Sequence, residues 1–252
     1  MTPPWTKVLH PEVRVKRLSE LQGEALFLAG RHSRLNEFLR VIRIALEFIR
    51  GFRHLHYIGP AITVFGSARF KKDHPFYLLA EQVGATIAKE GYTVVTGGGP
   101  GLMEAANKGA KEAGGHSVGC NIILPHEQGS NPYLDKVVTF YYFFVRKVML
   151  IKYSYAFVIL PGGLGTMDEM TEALTLIQTG KLYDFPLILV GKEYWKGLYD
   201  FIQNTMVANQ TVSQEDLNFI HITDDPAEVA RIIRRTAEGI GLTLTPLHAS
   251  VD

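Results

Sequence analysis

The stretch that most constrains this chain is Leu160-Pro161-Gly162-Gly163-Leu164-Gly165-Thr166-Met167-Asp168-Glu169. The apolar run Ala156 to Leu160 reads as a buried strand. Three glycines in the next few positions then free the backbone to turn sharply and to approach a ligand closely. Thr166 stands where a helix N-cap belongs, and Glu169 follows at the capping-box spacing, so a helix is expected from about Met167 to Gly180. Strand, glycine-rich turn and helix start together aim unsatisfied N–H groups and the positive end of a helix dipole at one spot. That arrangement suits the phosphate of a nucleotide, with Glu169 just past it and placed for chemistry.

The rest of the chain alternates strands and helices. Strands are expected at Ala61–Phe65, Tyr92–Thr96, His116–Leu124, Val137–Phe140, Pro186–Val190 and Phe219–Ile222. Helices are expected at Pro75–Glu90, Leu102–Ala113, Tyr141–Tyr153, Trp195–Val207 and Pro226–Glu238. This alternation predicts an α/β fold: a doubly wound, mainly parallel sheet of Rossmann-like type with helices on both faces. Ligands bind such sheets beyond the carboxyl ends of the strands. Three strands end in glycines, at Gly66, Gly97 and Gly162, and their loops converge on one crevice if the strands are neighbours.

Residues 1–58 read as an N-terminal helical extension, 59–240 as the nucleotide-binding catalytic domain and 241–252 as a tail. Within the extension, Arg17–Gly30 and Ser33–Phe52 look helical. Leu35, Phe38, Leu39, Ile42, Leu46 and Ile49 give the second helix one apolar face, expected to pack on the core or on a partner subunit. Glu37 and Glu47 dilute its basic face and weaken a membrane-surface reading.

Composition excludes several classes. Lys plus Arg number 26 against 25 acids in 252 residues, so there is no electrostatic footprint for nucleic acid. Cys120 is the single cysteine, which excludes an internal disulfide and fits a reducing cytoplasm. Met1 to Arg17 has no apolar signal core, and Val137 to Val145 is too short to span a bilayer; a soluble cytoplasmic protein is expected. The histidines show no metal-ligand spacing, and no metal or other cofactor is called for. Neither a Walker loop nor G-x-G-x-x-G occurs, so an ATPase or an NAD dehydrogenase is not supported.

Pro161 to Glu169 resembles the PGGxGTxxE motif of the LOG (Lonely Guy) family, phosphoribohydrolases that release a free base from a nucleoside 5′-monophosphate. Val145-Arg146-Lys147 resembles that family's upstream Arg-Lys pair. Val64-Phe65-Gly66-Ser67 and Gly97-Gly98-Gly99-Pro100-Gly101-Leu102-Met103 resemble its first two strand-end loops. The resemblance implies a hydrolase acting on a cytokinin riboside monophosphate or an AMP-like nucleotide, and a homodimer or higher homo-oligomer. It implies Arg146 and Glu169 as the catalytic pair. Substrate contacts would come from Ser67, Gly98, Gly99, Glu127, Lys147, Gly162, Gly163, Leu164, Gly165, Thr166, Met167, Asp168 and Thr175.

Plainer roles compete at each position. Glu169 fits a capping-box acid equally well, Asp168 a helix-start charge, Ser67 and Arg69 turn and surface residues, and Thr175 an ordinary helix threonine. Members of the family are often labelled lysine decarboxylases, but no Ser-x-His-Lys-like string is present to hold pyridoxal phosphate. The alternative is a non-catalytic nucleotide or molybdenum-cofactor carrier on the same fold. Such a carrier would not need the Arg146/Glu169 pair.

Overall fold

The computed structural model describes residues 23–28, 33–123, 129–242 and 244. Residues up to Ile44 form one compact unit and residues from Ala45 onward another. In the first lie α1 (Gly23–Leu28) and the start of α2 (Arg34–Leu55), where the Arg40 guanidinium stands over the Phe27 ring at 5.6 Å. Only part of the expected helix Arg17–Gly30 falls on described residues.

The second unit is built on seven strands: β1 (Ala61–Phe65), β2 (Thr93–Thr96), β3 (Ser117–Ile122), β4 (Lys136–Phe140), β5 (Ser154–Ile159), β6 (Leu187–Val190) and β7 (Ile220–Thr223). They form one sheet in the order β4-β3-β2-β1-β5-β6-β7, and every pairing is parallel. Parallel strands covered on both faces bury every side chain, which is why β1, β2 and β6 read as continuous apolar or β-branched runs.

Between the strands run α3 (Pro75–Lys89), α4 (Leu102–Glu112), α5 (Phe143–Lys152), α6 (Leu164–Gln178) and α7 (Lys192–Phe201), with α8 (Pro226–Gly239) last. Right-handed crossovers put α3 and α4 on one face, where α8 joins them, and α5, α6 and α7 on the other. The winding reverses between β1 and β5, so the crevice at a topological switch point opens where Gly66 and Gly162 follow those strands.

Two expected helices start earlier than their periodicity suggested. α7 begins at Lys192, directly after the left-handed Gly191, and its continuation Ile202–Val207 is π-helical. The helix of the glycine-rich stretch begins at Leu164 rather than Met167, because Gly163 and not Thr166 occupies the N-cap. Past α8, Leu242 and Leu244 pack against the hydrophobic core.

α3 and α4 cross at backbone contact. A Cβ on Gly84 would lie 2.0 Å from the Ala106 carbonyl oxygen, and one on Gly109 1.9 Å from that of Glu81. Helix propensity alone favours Ala over Gly in a helix by about 1 kcal/mol. Gly109→Ala is nonetheless expected to destabilise by about 3 kcal/mol in urea denaturation, because a rigid backbone must move away. A neutral or stabilising Gly109→Ala would mean that the helices are not this close.

Candidate active site

The three glycine-ended strands β2, β1 and β5 are neighbours, and backbone hydrogen bonds tie their loops together. Ser67 N–H donates to the Pro161 carbonyl at 3.0 Å, and Leu102 N–H donates to the Ser67 carbonyl at 3.0 Å. Ser67 Oγ in turn accepts from Arg69 N–H at 3.1 Å. The loops enclose a cleft of about 740 Å³.

The N-terminus of α6 faces this cleft. The Gly163 carbonyl accepts from both Thr166 N–H and Met167 N–H at 3.0 Å, so helical bonding starts inside the glycine turn. Leu164 and Gly165, in the first turn, have no intrahelical acceptor for their N–H groups. Thr166 is buried instead of capping: its side chain folds over Gly162, where a Cβ would lie 2.1 Å from Thr166 Oγ1. Tyr194, from α7, donates its hydroxyl to the Gly162 carbonyl at 2.7 Å and holds the turn from the far side.

α5 brings Arg146 to the cleft. Its N-cap, Tyr142, makes no side-chain cap of its own. The Glu47 carboxylate on α2 caps it instead, accepting from Tyr141 N–H and, at 3.3 Å, from Tyr142 N–H. Arg146 Nε donates to the Cys120 carbonyl at 2.8 Å, which fixes the guanidinium over the end of β2. A Cβ on Gly97 would come within 2.7 Å of Arg146 Nη2, so this position of the arginine needs a residue without one.

Arg146 Nη1 lies 3.7 Å from Glu169 Oε1. Glu169 is 4% exposed. Among the described residues its Oε2 has no hydrogen-bond partner. Burial raises the Glu169 carboxyl to about 7, against the opposing pull of Arg146 and Lys147 and with a further push from Glu172 and Asp168. With Gly163 at the N-cap and Oε1 of Glu169 toward Arg146, Glu169 is not a capping-box acid. A buried carboxyl poised near neutrality, beside a fixed cation and with one oxygen unengaged, is equipped for proton transfer or for facing a developing positive charge.

Of the residues singled out in the sequence, Ser67, Gly99, Gly162, Gly163, Leu164, Gly165, Thr166, Asp168, Arg146 and Glu169 line the cleft together. Arg69 lines it too. Gly98 sits beneath it, with its N–H donating to Thr96 Oγ1 at 2.9 Å and its carbonyl accepting from Asn131 N–H at 2.9 Å. Lys147 is engaged by Asp168 at 2.9 Å and Glu172 at 2.7 Å. Met167 is half-buried outside the lining. Thr175 is exposed on α6 and donates to the Thr171 carbonyl at 2.8 Å. Glu127 lies outside the described residues. Tyr194, Phe70, Met103, Asn121, Ile122 and Phe143 also line the cleft. Asn121 and Ile122 end β3, so the carboxyl-end rule alone could have found them. Gly191, closing β6, was the available signal for Tyr194.

Among the described residues no group of three or more His, Cys, Asp or Glu could hold a metal ion. No helix among them is long and apolar enough to cross a membrane.

The model of a family described as "possible lysine decarboxylase" matches residues 103–233, which carry Arg146, Lys147 and the whole glycine turn. The chain belongs to this family. Over 222 residues it is 27% identical to the pyrimidine/purine nucleotide 5′-monophosphate nucleosidase of Escherichia coli (strain K12), covering 80% of this chain and 46% of that protein. Over 114 residues it is 36% identical to the cytokinin riboside 5′-monophosphate phosphoribohydrolase of Mycobacterium tuberculosis (strain ATCC 25618 / H37Rv), covering 44% and 60%. The chain therefore spans about half the length of these curated relatives. Among solved structures, the molybdenum cofactor binding protein of Rippkaea orientalis superposes with a TM-score of 0.52 at 26% identity, over 70% of this chain and 96% of that one.

These relatives bear out the resemblance to LOG proteins read from Pro161 to Glu169. The chemistry that the words "lysine decarboxylase" describe fits the cleft poorly. Among the described residues lining it there is no lysine, and the nearby Lys147 ammonium is taken up by two carboxylates. Among the described lining residues, nothing is available to hold pyridoxal phosphate covalently.

Proposed function

We propose that this chain is a nucleoside 5′-monophosphate phosphoribohydrolase, cleaving the N-glycosidic bond of a cytokinin riboside monophosphate or an AMP-like nucleotide to free base and ribose 5-phosphate. The observation that carries the reading is the buried Glu169 carboxyl, one oxygen unpartnered, facing Arg146 in the same cleft as the open N-terminus of α6. In this reading the 5′-phosphate rests on the N–H groups of Leu164 and Gly165 and on the α6 dipole. The C1′–N bond pair leaves with the base, which takes up a proton, and a ribosyl cation develops at C1′. Ionised Glu169 stabilises that cation and accepts a proton from the water that adds to it. Arg146 remains protonated, so it serves as an electrostatic partner rather than a base. Held by the Cys120 carbonyl, it orients Glu169 and meets charge on the departing base.

Incubating the purified protein with a panel of purine, pyrimidine and cytokinin nucleoside monophosphates, with chromatography of base and ribose 5-phosphate, tests the reading. Release of base from at least one of them is expected. Tight binding with no turnover would instead favour a nucleotide or cofactor carrier, the reading that the likeness to the Rippkaea orientalis protein supports. A homodimer or larger homo-oligomer belongs to the proposal, and mass in solution checks it.

A further inference from the structure

α5 and α6 meet through two consecutive residues of one and two acids of the other, and only half of that meeting is used by the chemistry proposed above. Arg146 faces Glu169. Lys147, the next residue, turns its ammonium to Asp168 at 2.9 Å and Glu172 at 2.7 Å, the residues just before and about one turn after Glu169. The Lys147 side chain is only 16% exposed. Neither Lys147 nor Glu172 lines the cleft. An ammonium held this way is not free to reach a phosphate or a ribose.

We propose that Lys147 is a positioning residue for Glu169: clamped between Asp168 and Glu172, it docks the first turns of α6 on α5 and neutralises the two acids that flank the catalytic carboxylate. The inference rests on the reading of Glu169 as the reacting carboxylate, but its physical content does not require turnover. Two like charges beside a buried carboxylate disfavour its ionisation, and a cation beside it favours ionisation. Among the described residues, the charged groups that act on Glu169 are Arg146 and Lys147 from α5 and Asp168 and Glu172 from its own helix. Arg69 and Tyr194 line the same cleft. The Cys120 thiol beneath Arg146 is pushed up to about 12 by burial and stays neutral. Of the two cations, Arg146 belongs to the reaction. Lys147 is left to offset Asp168 and Glu172.

The test is a carbon-13 NMR titration of the Glu169 carboxyl, assigned with Glu169→Gln, in the wild type, Lys147→Met, Lys147→Arg and Glu172→Gln. Lys147→Met is expected to raise the midpoint by about one pH unit, since Asp168 and Glu172 are then uncompensated. Lys147→Arg keeps the charge and is expected to hold the midpoint near the wild-type value. Glu172→Gln, a milder change that spares the lysine, is expected to move it the other way, so the proposal stays testable if Lys147→Met does not fold. Where base release is measurable, the acid limb of kcat/KM should follow the same midpoints, with about a tenfold loss below the midpoint for Lys147→Met and little change in KM. An unmoved midpoint in both Lys147→Met and Glu172→Gln overturns the proposal. So does a Lys147→Met defect confined to KM, which would make the lysine a ligand contact. Absence of turnover in every nucleotide would sink the proposed function yet leave the titration to decide on Lys147.

Discussion

Glu169→Gln is expected to lower kcat for base release by about 10³-fold while making the protein more stable above neutral pH. The first half follows from the proposed reaction, in which this carboxylate faces the ribosyl cation and takes the proton of water. The second half follows from burial. Glu169 ionises near 4.5 in the unfolded chain and is raised to about 7 in the folded one. Between those values the folded state holds a proton that the unfolded state has lost, so stability falls as pH rises through that window. The full loss, above about pH 7, is about 3 kcal/mol. A glutamine has the same shape and nothing to ionise. The variant is therefore expected to exceed the wild type in urea denaturation by about 1 to 3 kcal/mol at pH 8, and to match it below about pH 5. Equal stabilities at pH 8 would mean that ionised Glu169 is not destabilised where it stands, and its readiness to give up charge to the reaction would lose its physical basis.

That tension between stability and chemistry was only half legible in the sequence. Spacing made Glu169 a candidate but could not separate a cap from a catalyst, because both need an acid about one turn into a helix. The choice was made one to two turns earlier. Gly163 took the N-cap, Thr166 went inward over Gly162, and Glu169 was left facing Arg146. The sheet was far easier to read. Strands buried on both faces spell themselves as apolar runs, and β1 falls on the expected residues 61–65. Strand order could not be read, since it depends on which crossovers run back across the sheet, yet it is what gathers Gly66, Gly97 and Gly162 in one cleft.

Contacts between residues distant in the chain were hidden for the same reason. Glu47 looked like part of a diluted basic face in the extension, whereas it caps the helix that carries Arg146. Lys147 looked like a second ligand cation, whereas Asp168 and Glu172 hold it. In both cases the residue type announced a charge, and only packing named its partner.

Gly97→Ala is expected to lower kcat/KM for base release by about 10²-fold with folding nearly intact, because it displaces the arginine rather than the backbone. Gly97 does not have a positive φ, so alanine fits its conformation. The added Cβ would meet Arg146 Nη2 at 2.7 Å and Met103 Sδ at 2.8 Å, both near the ends of flexible side chains. Those ends can swing aside at a cost of about 1 kcal/mol or less. The guanidinium cannot do so and keep both Nε on the Cys120 carbonyl and Nη1 toward Glu169. Gly162→Ala supplies the contrast. Its Cβ would fall 2.1 Å from the Oγ1 of the buried Thr166, inside the first turn of α6. That variant should lose about 2 kcal/mol or more of stability together with activity. Gly197, exposed on α7 with nothing within 4 Å of its added Cβ among the described residues, is the neutral control. Denaturation and base-release assays on the three variants separate a misplaced Arg146 from a damaged fold. If Gly97→Ala kept full activity, the guanidinium over the end of β2 would not be the group the reaction uses.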